Sequence, residues 1–326
     1  MRIWLLIFIL LINSLSCRHQ DVSNKYIIRL GHQGNEKDIW HLSALRFAHA
    51  ADSLSHGRIK VLVYPAEQLG PELDMIRSIR AGIVEMTITG ESMQNWAGSA
   101  AFLAVPYLIR DSHHLKRIVE GEVGDYIAKE LVDEIGVRPL AYLERGPRHL
   151  TSNMPVHTPD DLKGMVIRVP NVPLFVKVWQ ALGAKPTPMA FSEVFTALQQ
   201  GTVEAQENPF ALINSAGLYE VQQYLNLTNH VISWIYVVIG EKQFNQYPYD
   251  IQSVLTEAAH VMQEYHEREF QKQELYLKTQ LKDKGMIFTE PDLEVFRKKV
   301  EEVVPQFLQE KYMPLYMKIL ETAIEK

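Results

Sequence analysis

A chain of 326 residues with a single cysteine, Cys17, cannot close an internal disulfide, so its stability must come from core packing. Positive charge is also in deficit: 33 Lys and Arg stand against 39 Asp and Glu, a formal net charge of -6. That balance argues against nucleic acid or an anionic membrane surface as a partner, because both need a basic face. After the first residues no apolar run reaches about 18, so no transmembrane helix is expected in the body of the chain. Catalytic signatures are absent too: there is no HExxH, no GxSxG, no GxxxxGK[ST] and no GxGxxG after a strand. Of the twelve histidines, His113 and His114 are adjacent and His260 and His266 lie six apart, spacings that do not share one helix face. No catalytic residue, metal site or cofactor is therefore expected.

What is present is a chain that can bury a large core, 47% hydrophobic and 22% charged, enough for one or two domains. Its first 17 residues read as an export signal: Arg2 gives a positive start, residues 3–12 are unbroken apolar, and a short polar stretch follows. Cys17 stands where bacterial lipoproteins carry the acylated cysteine. Leu15 lies two places before it, whereas the usual lipobox has its aliphatic residue three before, and a chance cysteine in a cleaved peptide is the alternative. Residues 18–25 are polar and suit a tether.

Strand and helix signals alternate along the rest. Strands are expected at 26–30, 59–64 and 85–89, with helices at 38–54 and 72–81 between them, which predicts an α/β domain with a largely parallel sheet. The pattern repeats with strands at 138–144, 165–169, 185–189, 203–206 and 233–239. Thr158-Pro159-Asp160-Asp161 reads as a helix start, and Ser192 as the cap of a helix over 192–200. From 250 to 284 there is no glycine or proline, and Ile251, Val254, Leu255, Ala258, Met262 and Tyr265 recur at helical spacing. At about 1.5 Å per residue that helix is near 50 Å long, more than one small domain can cover. Two α/β lobes with a helix along both is the architecture these signals give.

Two arginines draw attention. Arg148 follows a strand and a Gly146-Pro147 turn, and Arg168 interrupts an apolar strand, Val166-Ile167-Arg168-Val169-Pro170. Burying an arginine is costly unless it meets an acid. Spacing alone leaves open whether that acid is internal or a ligand. Gln206-Glu207-Asn208-Pro209 ends a strand and opens a loop, where contacts to small molecules concentrate in α/β folds, although a plain turn accounts for it equally well.

At these residues the chain resembles the substrate-binding subunits of tripartite ATP-independent periplasmic (TRAP) transporters, the DctP family. The stretches that carry the resemblance are 148–153, 162–171, 186–195 and 206–209, with a weaker match at Tyr64-Pro65 and Gln68-Leu69-Gly70. The family's fold is two α/β lobes joined by crossing strands and a long helix, which places residues 25–145 with about 234–275 in one lobe and 146–233 with about 276–326 in the other. The resemblance implies that Arg168 makes the principal salt bridge to a ligand carboxylate, that Arg148 assists, and that Asn208 hydrogen-bonds the same group. Phe191 would form an aromatic wall, and Gln33 and Glu91 would meet the ligand's hydroxyls. Ala205, where many relatives have glycine, and Pro71, where an acid is common, depart from the pattern and bear on ligand specificity.

The function so implied is extracytoplasmic capture of a small carboxylate, best matched to a sugar acid such as a hexuronate, an aldonate, a keto-gulonate or a sialic acid. The alternatives are a C4-dicarboxylate ligand in the same transporter class and, more remotely, a secreted enzyme acting on acidic sugars, for which Glu207, Glu91 and a histidine would be the groups to consider. The partners implied are a small and a large integral-membrane transporter subunit, with the protein in the periplasm and tethered through Cys17.

Overall fold

The computed structural model describes residues 26–323; the export-signal and Cys17 readings lie outside them. Nine strands form one sheet: β1 (Tyr26–Gly31), β2 (Ile59–Tyr64), β3 (Met86–Thr89), β4 (Val137–Ser152), β5 (Val166–Val169), β6 (Lys185–Pro188), β7 (Ala205–Asn208), β8 (Tyr224–Gly240) and β9 (Ile287–Thr289). Their order is β2-β1-β3-β8-β4-β7-β5-β6, with β9 beside β8.

The parallel character expected holds within each half of the sheet and fails at its centre. β1 runs parallel to β2 and β3, and β5 parallel to β6 and β7, while β4 and β8 are antiparallel to each other and to β7 and β3 respectively, with the short β9 parallel to β8. β4 and β8 are also much longer than their apolar segments predicted, at 16 and 17 residues. The extension of β8 runs through Asn226, Thr228 and His230, buried polar residues that no hydrophobic alternation reveals. They are held by partners: Asn226 Nδ2 donates to Leu150 O at 3.2 Å, and Thr228 Oγ1 accepts from Leu150 N at 3.2 Å. Buried polar groups need such partners, and here β4 supplies them.

The two long strands carry the chain between the two lobes. One half of β4 and β8 pairs beside β3, the other beside β7 and β9. The helix Tyr249–Asp283 spans both lobes, as its length requires. Its first part buries Ile251, Leu255, Ala258 and Met262 in a core shared with Ile28, Phe47 and Ile235, and its last part buries Leu277 and Leu281 against Val194, Phe210 and Leu225.

Two local expectations change. Pro159–Leu162 is a single 3-10 turn rather than a helix, although Asp161 Oδ2 does accept the Thr158 N–H at 2.9 Å as a capping box would. Ser192 caps nothing; the turn at Phe191–Glu193 is closed by Glu193 Oε2, which accepts the Ala190 N–H at 2.9 Å. The terminal helix Met313–Thr322 packs on the helices Ser112–Val119 and Glu122–Glu130. His114 Nε2 meets Ile319 O at 3.0 Å, Arg117 Nη2 donates to Thr322 O at 3.1 Å, and Tyr312 Oη donates to Glu130 at 2.7 Å.

Candidate ligand-binding site

A cavity of about 410 Å³ opens between the two lobes. Gln33, Glu91, Arg148, Arg168, Phe191 and Asn208, the six candidates read from the sequence, all line it. Its volume is within the range of small-molecule sites.

Arg168 sits on β5 between Ile167 and Val169, both fully buried, and is itself only 3% exposed. Its Nη2 and Nε donate to the Met189 carbonyl at 2.7 and 3.2 Å, and its guanidinium lies 5.9 Å from the Phe191 ring. None of the ion pairs among the described residues includes it, although it meets the cavity. Burial pulls its pKa down to about 10, with Glu207 opposing and Arg148 reinforcing that shift. A buried cation with a carbonyl as its only acceptor is poised for an anion.

Arg148 is in a different state. Its Nε and Nη2 donate to the Glu207 carboxylate, the second at 2.6 Å, and Nη2 also reaches the Glu207 carbonyl at 2.8 Å. The internal-acid reading therefore holds for Arg148 and not for Arg168. Burial opposes its charge, but Glu207 outweighs that and raises its pKa. Only Nη1 lacks a hydrogen bond; it lies 3.6 Å from Glu91 Oε1. Glu207, fully buried, also meets His230 Nε2 at 3.0 Å. Burial alone would raise its pKa, yet Arg148 and then His230 hold it at about 2, so it stays ionised and is a poor proton acceptor.

Glu91, expected to meet ligand hydroxyls, is held in place at the cavity: both its oxygens accept from Arg145 Nη1 at 2.7 Å. Arg145 is 5% exposed, stacks 5.4 Å from the Trp40 ring and lines the same cavity, a residue that sequence reasoning missed. Its sequence signal is weak: it stands between Glu144 and Gly146 rather than inside an apolar run, as Arg168 does on β5. Asn208 Nδ2 donates to Gln206 Oε1 at 2.6 Å, Gln206 Nε2 to Thr151 Oγ1 at 2.8 Å, and Thr151 Oγ1 to Gln222 Oε1 at 3.0 Å. That chain of amides fixes Asn208 and leaves its second amide hydrogen for another acceptor. Gln33 and Phe191 are half-buried at the cavity wall.

Glu72 was missed as well. It stands in the first turn of the helix Glu72–Arg80 and lines the cavity. Thr89 Oγ1 and Ser92 Oγ donate to it at 2.5 and 2.6 Å, and Gly90 N at 3.3 Å. Burial, and then the nearby Glu91, raise its pKa. Among the described residues no cluster of three or more His, Cys, Asp or Glu is placed to hold a metal, and no helix is long and apolar enough to cross a membrane.

This arrangement agrees with what similar proteins are. The family described as "bacterial extracellular solute-binding protein, family 7" (DctP) matches residues 30–311. A solute-binding protein of Roseobacter denitrificans is 47% identical over 88% of this chain and 89% of its own length. A crystal structure of a TRAP periplasmic solute-binding protein from the same organism, with bound L-galactonate, superposes with a TM-score of 0.89 at 46% identity, covering 91% of this chain and 99% of that one. The sialic acid-binding periplasmic protein of Vibrio cholerae is 31% identical over 90% of this chain and 91% of its own length.

Proposed function

Because this chain belongs to the DctP family of TRAP solute-binding proteins, we propose that it captures a six-carbon sugar acid with one carboxylate and presents it to the transporter's membrane subunits. One observation carries this reading: Arg168, buried at the cavity wall, has no carboxylate of its own. A guanidinium offers two parallel N–H donors that match the two oxygens of a carboxylate, each bond contributing about 1.5–3 kcal/mol. Asn208 and the Arg148 Nη1 supply further donors to the same anion, and Phe191 covers an apolar edge of the ligand. Gln33 and the carboxylates of the first lobe accept its hydroxyls. The L-galactonate bound by the Roseobacter denitrificans relative supports an aldonate as the first ligand to test.

We assign the lobes to residues 26–145 with 234–275 and to 146–233 with 276–312, the terminal helix returning to the first. Residues 1–17 are taken as the export signal with its cysteine, cleaved before Cys17, which becomes the N-terminus and the site of lipid attachment; intact-mass analysis of the mature protein tests this, since an unacylated N-terminus elsewhere overturns it.

Titration calorimetry against hexonates, hexuronates, N-acetylneuraminate, succinate and malate tests the main reading. Saturable binding of a sugar acid with no response to succinate or malate is the result expected. Response to the C4-dicarboxylates alone overturns it, and conversion of any acid into a product detected by mass spectrometry replaces capture with catalysis.

A further inference from the structure

The charged groups of the cavity wall differ in whether they are already paired. Arg145 is taken by Glu91, Arg148 by Glu207, and Arg77 by Asp74 at 2.6 Å near the surface. Glu67 and Glu193 accept backbone N–H groups of Ser192 and Ala190 at the lip, at 3.1 and 2.9 Å. Glu67 and Glu193 meet no cation either, but they lie at the exposed lip; deeper in, Arg168 on the second lobe and Glu72 on the first are the charged groups without an opposite charge among the described residues. Among the described residues no cation pairs with Glu72. A carboxylate offers about four lone-pair positions, and Thr89, Gly90 and Ser92 fill three.

We infer that Glu72 determines which acids the cavity admits: it offers its remaining lone pair to a ligand hydroxyl and turns away any acid whose far end is a second carboxylate. The inference rests on the sugar-acid reading above. A second carboxylate reaching this wall meets Glu72 and Glu91 together, while Arg145 is already committed to Glu91 and Arg77 to Asp74. Juxtaposed like charges exclude a ligand more sharply than a missing hydrogen bond does. A hydroxyl at the same place donates into a waiting acceptor.

The discriminating pair is galactonate and galactarate, which differ only in oxidation of the terminal CH2OH to a carboxylate. Calorimetry on the full protein should show galactonate binding at least about 100-fold tighter than galactarate. In Glu72→Gln the ratio should fall to about tenfold or less, by weaker binding of galactonate and stronger binding of galactarate. Glu72→Asp keeps the charge and should keep the discrimination while losing affinity for galactonate. Thermal melting establishes that each variant is folded. An unchanged ratio in folded Glu72→Gln, or equal binding of both acids by the unaltered protein, overturns the inference alone. Binding of neither acid overturns the reading on which it rests, and the inference with it.

Discussion

Replacing Glu207 by glutamine should destabilise the protein by about 3–5 kcal/mol, because it leaves a buried guanidinium without its counter-charge. Arg148 and Glu207 are 1% and 0% exposed, and the carboxylate holds two guanidinium nitrogens and His230 at once. A second estimate comes from proton binding. The Glu207 pKa is held at about 2 against an ordinary 4.5, a gap worth about 3 kcal/mol once the carboxyl is ionised. The folded pKa is the lower one, so this stability is complete above about pH 4.5 and disappears as the pH falls toward 2. Thermal melting without ligand should show the Glu207→Gln midpoint roughly 10 °C below the parent at pH 7.5, at about 2–4 °C per kcal/mol. The two curves should converge as the pH is lowered through 4. A midpoint within about 1 °C of the parent at pH 7.5, or a gap that stays constant between pH 7 and pH 3, refutes the reasoning.

Arg168→Lys keeps the charge but loses the fork, and calorimetry should show affinity for the sugar acid reduced by about 10- to 100-fold with the melting temperature of the empty protein unchanged or raised. Glu274 has no hydrogen bond or ion pair among the described residues, and burial, then Glu144, raise its pKa to about 7. An acid whose folded pKa is raised costs stability above its ordinary pKa, so Glu274→Gln should raise the melting temperature at pH 8 by a few degrees, about 1–2 kcal/mol after allowing for its partial exposure, and have no effect at pH 4. Gly146→Ala places a methyl 2.5 Å from Glu274 Oε1, the end of a flexible side chain. Its cost, about 1 kcal/mol, should vanish in the Gly146→Ala/Glu274→Ala double variant, and a strictly additive cycle sinks that account.

Apolar periodicity fixes which faces are buried, and it located β1, β2, β3 and the helix over 249–283 to within a residue or two. It says nothing where a buried strand is polar, and so the first half of β8, whose Asn226 and Thr228 bond across to a strand more than seventy residues earlier, was invisible. The same holds at the site. Arg168 and Arg148 look alike in sequence, each an arginine beside apolar strand residues, yet one faces a carbonyl and the other an internal carboxylate. The difference depends on β7 lying between β4 and β5, with His149 opposite Asn208 and Arg168 opposite Gln206. Pairing of this kind is a property of sheet order, which local pattern does not encode. The neighbours of the terminal helix were illegible for a related reason: its apolar stripe names a face and not a partner.

In the lobe assignment proposed above, the terminal helix adds a further pass of the chain from one lobe to the other, beside the two long strands and the long helix. A joint made of one linker can swivel about any axis, but one sewn at several separated points can fold along a single crease and resists both sliding and twisting. Any approach of one lobe to the other should therefore retrace a single arc, bringing the wall that carries Arg168 up to the same Glu72 each time.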